Sequence, residues 1–99
     1  MAKFALYVEL KAKPGKEKDV EDFLRAGADL AKNEPGTIHW YAIKEDRPGV
    51  YGVFDTFNSE EGREAHLNGP IAKALMENAE KLLSEPPKID KIEVIAEKI

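Results

Sequence analysis

This 99-residue chain has no cysteine, one tryptophan and two histidines. Without cysteine there are no disulfides, no thiolate metal ligands and no thiol nucleophile, which excludes zinc fingers, iron–sulfur proteins and cysteine enzymes. Two histidines alone supply no metal-ligand cluster of recognised spacing, and there is no G-x-G-x-x-G, Walker loop or H-E-x-x-H. Ser59 and Ser84 are the only serines, and neither has the flanks of a nucleophile elbow. Positive charge is also short: 15 Lys plus Arg stand against 19 Asp plus Glu, a net charge of -4. Nucleic-acid binders need a basic face, so no nucleic-acid partner is expected. The lysines between Lys3 and Lys18 are interleaved with Glu9 and Glu17 and form a solvated face. The first apolar segment runs for only about eight residues, well short of a membrane span, and no small-residue cleavage pattern follows it. The expectation is a cytoplasmic protein with no membrane partner, no bound metal and no cofactor.

What is present suffices for one globular domain over residues 1–99: 42% of residues are apolar, 34% charged, with both signs mixed. Residues 3–12 are rich in aromatic and β-branched types and stop at Lys13-Pro14-Gly15, a strand followed by a turn. Between Lys16 and Asn33, Val20, Phe23, Leu24, Gly27, Leu30 and Ala31 recur at helical spacing, and Glu34-Pro35-Gly36 ends that helix. Strands are predicted over 37–45 and 49–57, joined at Asp46-Arg47-Pro48-Gly49. Asn58 or Ser59 caps a short helix that Asn68-Gly69 ends, and Pro70 opens a further helix running to Glu85. Pro86-Pro87 breaks it, and residues 88–98 read as a last strand.

The order is βαββαβ with the second helix broken, an α+β ferredoxin-like plan with both helices on one face of a four-stranded antiparallel sheet. The other face should then be wet and polar, yet apolar residues fall on both parities of the first three strands. Phe4, Leu6, Val8 and Leu10 stand against Ala5 and Tyr7 on the first, and Ile38, Trp40 and Ala42 against Tyr41 and Ile43 on the second. No third layer exists in the chain, so a homodimer packed sheet against sheet is expected.

Lys13-Pro14-Gly15-Lys16, the Glu34-Pro35-Gly36 bend before an aromatic strand, and Phe57-Asn58-Ser59 leading through Glu64-Ala65 to His66-Leu67 resemble the antibiotic biosynthesis monooxygenase family over about residues 3–96. The resemblance implies a dimeric α/β barrel whose protomers each hold a small-molecule pocket between sheet and helices. Members oxidise polycyclic phenols or quinols with O₂ and no cofactor; others degrade haem, isomerise small phosphorylated signals or have no assigned activity. The chain departs from the pattern with Asp55 and Phe57 where Glu and Trp are common, and with Trp40-Tyr41 where a Tyr-Glu pair follows the bend. Tyr7 or a neighbour stands where the haem-degrading branch has Asn, His66 near that branch's Trp, and the next helix lacks its His, so the haem-degrading reading weakens.

Candidate chemistry follows from the titratable groups. Only His39 and His66 titrate near neutral pH without perturbation, so a general base is one of these or a shifted carboxylate such as Asp55. His66, kept by the family pattern, reads either as a base at a pocket mouth or as a helix C-terminal cap. Asp55 is the one acid flanked by apolar residues in a central strand, where burial would raise its pKa and a rim position would leave it solvated. Trp40, His39, Tyr7 and Phe23 are candidate walls for a flat aromatic or quinone-like ligand, against the alternative of ordinary core or interface packing. The leading functional reading is a cofactor-independent monooxygenase acting on a hydroquinone or polycyclic phenol. The alternatives are an isomerase of a small polar metabolite, which would want Arg or Lys in the pocket, and a non-catalytic ligand-binding or stress-related dimer, favoured by an occluded barrel.

Overall fold

The computed structural model describes residues 2–99. Its elements follow the order β1 (Phe4–Lys11), α1 (Glu17–Ala31), β2 (Thr37–Lys44), β3 (Val50–Phe57), α2 (Glu60–Leu67), α3 (Pro70–Leu82) and β4 (Lys88–Glu93). The strands form one antiparallel sheet in the order β2-β3-β1-β4, the ferredoxin-like plan. Period-two alternation sends Leu6, Val8 and Leu10 of β1, and Tyr51, Val53, Asp55 and Phe57 of β3, beneath the helices, all of them buried. Val20 and Leu24 of α1 close over Val8, Leu10 and Val53 to form the core.

Two boundaries differ from expectation. The last helix stops at Leu82 because Lys13 N–H donates to the Leu82 carbonyl and Ser84 N–H to the Lys11 carbonyl, tying this end of the chain to the end of β1. The last strand ends at Glu93, not residue 98, because Glu93 already pairs with Phe4, the first residue of β1, and only one further backbone bond follows, Val94 N–H to the Lys3 carbonyl at 2.9 Å. The tail lies instead beside His39, Tyr41 and Phe54 on the helix-free face.

Three local features place the site. Ser59 caps α2 by accepting the Gly62 N–H at 3.1 Å, as its residue type predicts. Buried Arg63 fastens α2 to the sheet, donating to the carbonyls of Ala5 (3.3 Å) and Ile92 (3.1 Å) and lying over the Phe4 ring. Gly36 and Gly62 bring the bend before β2 against α2 so closely that a Cβ on Gly36 would lie 3.1 Å from the Gly62 Cα. Helix α3 rests on α1 and α2, and its Leu75, Ala79 and Leu82 pack against the core that includes Val8, Leu10 and Val53 of the sheet.

Candidate active site

Beneath α3 is a small, partly enclosed pocket of about 40 Å³. Leu6, Val8, Leu10 and Val53 form its floor, Phe23 and Trp40 one side, and Ile71 and Leu75 the roof. In this apolar shell the only ionisable residues are Asp55 and His66. A larger, more open groove of about 450 Å³ lies between α1 and β2, sharing Leu24 and Trp40 with the pocket. Its polar groups are matched: Glu21 accepts the Tyr51 hydroxyl at 2.6 Å and pairs with Lys44 at 3.5 Å, and burial with that bond pushes the Tyr51 phenol up to about 12. The smaller pocket, with unmatched groups, is the better candidate.

Its polar end is a line of three side chains. His66 is 8% exposed; its Nδ1 lies 2.6 Å from Glu34 Oε1 and its Nε2 lies 2.8 Å from Asp55 Oδ2. The first contact is a hydrogen bond. The second is an ion-pair contact in which the carboxylate sits out of line for a well-formed hydrogen bond, so both Asp55 oxygens stay without an aligned donor. Each arm has a local cause. Pro35 and Gly36 turn the chain so that Thr37 N–H returns to the Glu34 carbonyl (3.2 Å) and the Thr37 hydroxyl donates to Glu34 Oε1 (2.9 Å), which aims the carboxylate at α2. Phe57, fully buried, packs its ring 5.3 Å from the imidazole and holds it upright.

Charge follows from this geometry. Burial alone would lower the His66 pKa, but the Asp55 and Glu34 carboxylates together outweigh it and move it upward. Burial moves the Asp55 carboxyl upward too, against the pull of the imidazolium. The shift favours the imidazolium, whose Nδ1–H goes to Glu34 and whose Nε2 side faces Asp55 out of line, so the open lone pairs in the pocket belong to Asp55. Neither ring nitrogen caps helical carbonyls; Asn68 does so, its side-chain amide donating to the Glu64 carbonyl at 2.9 Å. The two carboxylates occupy opposite sides of one ring, and among the described residues no His, Cys, Asp and Glu cluster has the arrangement of a metal site.

The structure brings His66, Asp55, Trp40 and Phe23 together and separates His39 and Tyr7 from them. A bulge in β2 is the reason: Thr37 pairs with Phe57, but His39 pairs with Thr56 and Trp40 with Asp55. Unbroken alternation from Thr37 would have pointed His39 at the cavity; the extra residue turns it outward, where its Nδ1 meets Thr56 Oγ1 at 2.9 Å and its ring stacks on Tyr41. Tyr7 is on the wrong parity of β1, and its hydroxyl donates to Glu45 at 3.0 Å on the helix-free face. Glu34 escaped sequence reasoning because its Pro-Gly neighbours explain it fully as a helix end. The one available hint was an acid beside a bend whose next strand opens with a hydroxyl residue, Thr37.

A family model described as antibiotic biosynthesis monooxygenase matches residues 3–78. The chain belongs to this family. Among solved structures, a Nitrosomonas europaea protein of unknown function, NE2512, is 54% identical with a TM-score of 0.95, over 100% of this chain and 95% of that one. PA3566 from Pseudomonas aeruginosa is 21% identical (TM-score 0.83, 97% of each chain), as is a provisionally assigned antibiotic biosynthesis monooxygenase from Caulobacter crescentus (TM-score 0.83, 96% of this chain and 92% of that one). At that identity the last two show the shared fold alone. No curated protein is similar enough to the chain to count as a relative. No helix among the described residues is long and apolar enough to cross a membrane.

Proposed function

We propose that this member of the antibiotic biosynthesis monooxygenase family is a cofactor-independent monooxygenase acting on a hydroquinone or polycyclic phenol. The observation that carries it is a buried carboxylate, Asp55, whose oxygens lack an aligned donor, at the end of an aromatic-walled, largely apolar pocket. Asp55 takes a phenolic proton; the phenolate then passes one electron to O₂, and the radical pair joins at a free ring carbon, para to the oxygen in a phenol and ortho to it in a hydroquinone. Loss of water from the resulting hydroperoxide leaves a carbonyl, so a phenol plus O₂ becomes a quinone plus water, and a hydroquinone plus O₂ becomes a hydroxyquinone plus water. A raised carboxyl pKa makes Asp55 a stronger base than a solvated acid, and His66 with Glu34 fixes its position and charge. The absence of Arg and Lys from the lining argues against an isomerase of polar metabolites.

The guest must be larger than the cavity at rest. The wall that must shift to admit it is α3, whose Ile71, Ala72 and Leu75 line the pocket. The same small volume favours the second reading, a ligand-binding dimer without turnover. Oxygen uptake by metal-free protein, screened against hydroquinones and naphthols, separates the two. Uptake with quinone formation, lost ~10²–10⁴-fold in Asp55→Asn, is the expected result. Binding without uptake by any of these phenols overturns the oxygenase reading.

A homodimer joined through the helix-free sheet face belongs to the same proposal. Tyr41 is 56% and Ile43 41% exposed on that face, more apolar surface than an outward strand normally shows water. Sedimentation at about 10 μM should return twice the chain mass, with an interface above about 1,000 Å². A monomeric mass would refute it.

A further inference from the structure

Three buried polar atoms of residues lining the pocket have no hydrogen-bond partner in the protein: Nε1 of Trp40 and both carboxylate oxygens of Asp55, a residue only 1% exposed, of which Oδ2 faces His66 and Oδ1 is left open. They come from cross-strand partners on β3 and β2, brought opposite each other by the bulge. Trp40 also borders the open groove, but its Nε1 has no contact with solvent, so the groove does not satisfy it. One atom can only donate. The carboxylate, with the neighbouring imidazole already committed to Glu34 on its far side, can only accept.

We propose that this donor–acceptor pair selects the guest by a hydroxyl group, whose proton goes to Asp55 Oδ1 and whose oxygen accepts from Trp40 Nε1–H; the ligand is a neutral molecule with one hydroxyl on an apolar body. The inference rests on the same cavity as the oxygenase reading but concerns binding, and it makes Trp40 a specificity-determining residue through its N–H as well as its ring. A ketone or ether accepts from Trp40 and leaves Asp55 unpaired. An ammonium donates to Asp55 and meets a second donor at Trp40. A carboxylate sets a negative charge beside the buried Asp55. Each mismatch leaves a buried polar group unsatisfied, whereas a hydroxyl satisfies both. A water molecule has the same dual character and fits about 40 Å³, so the ligand's hydroxyl has to compete with water for the pair.

The chain's single tryptophan gives one indole N–H resonance, which makes the test direct. Under nitrogen, ¹⁵N-labelled protein is titrated with cyclohexanol, cyclohexanone, methoxycyclohexane, cyclohexylammonium and cyclohexanecarboxylate. Cyclohexanol should move the indole resonance and bind about tenfold or more tighter than the other four. Trp40→Phe, checked for folding by circular dichroism, should weaken cyclohexanol and cyclohexanone alike, since both accept from its N–H, and should narrow the margin over cyclohexylammonium, which that N–H repels. Equal affinity for cyclohexanol and cyclohexanone would mean that the pair is served by a buried water only, and would overturn the proposal. So would no binding of cyclohexanol, or binding that leaves the indole resonance in place. Turnover is not measured, so a hydroxyl preference without oxygen uptake retains this inference and removes the oxygenase reading; uptake without the preference does the reverse.

Discussion

His66→Ala is expected to lose both turnover and stability. A cap would cost about 1 kcal/mol and leave chemistry intact. Removing one member of a buried charge line leaves uncompensated charge behind, at a cost of about 3–5 kcal/mol. Here the residue removed stands between Glu34, which is half-buried, and Asp55, which is fully buried, and the two carboxylates then face each other across its space. Oxygen uptake should fall about a hundredfold or more, because Asp55 loses the group that fixes it and small misplacements of a reacting group carry penalties of that size. Adding Asp55→Asn to His66→Ala should recover part of the stability and none of the activity.

The pH dependence has a definite sign. His66 is raised above 6.5 and Asp55 above 3.8 in the folded protein, so across both windows the native state holds protons that the unfolded chain has released. Stability therefore declines as pH rises: from 3.8 through the raised value for Asp55, and from 6.5 through the raised value for His66. Below 6.5 the His66 contribution is fully present. Thermal melts between about pH 6 and 9 should show Tm falling in the parent and a shallower fall in His66→Gln. Parallel slopes, or a His66→Ala loss near 1 kcal/mol with uptake unchanged, would return His66 to a packing role.

Phe57→Ala should cost about 3–5 kcal/mol, the range for deleting a fully buried aromatic ring. A domain of this size has roughly 5–15 kcal/mol in total, and each kcal/mol shifts Tm by about 4–8 °C, so a fall of about 12 °C or more is expected. Phe57 pairs with both Phe4 and Thr37 and supports the His66 ring, so the deletion loosens the sheet and the charge line together. Phe57→Leu should retain most of the stability. A loss under about 1 kcal/mol in urea unfolding of Phe57→Ala would show that the core is organised around other residues.

The fold was legible because its punctuation is strong. Lys13-Pro14-Gly15, Glu34-Pro35-Gly36, Ser59 and Pro70 each act within a few residues, and each ends or starts an element as its chemistry requires. The limits of α3 and β4 were not, because they depend on where distant β1 begins and ends. The site was half legible. Asp55 stood out as an acid in an apolar strand and His66 as one of two histidines. Strand parity alone could not choose between Trp40 and His39, since a one-residue bulge decides it. Glu34 could not be seen at all, because its role is set by contact with residue 66, thirty-two positions away.

The division of the pocket between sheet and helix divides the molecule's tasks. The groups that hold and orient a guest's polar end, Asp55, His66 and Trp40, sit on strands or against them, where any shift would disturb the core. Ile71 and Leu75, which set how large the guest's body can be, sit on α3 at the opposite wall. A chain built this way can alter what it admits by exchanging one or two roof side chains while its polar groups stay as they are. Diversity of ligand among proteins of this shape then needs few mutations, and the same roof is the natural place to engineer a new one.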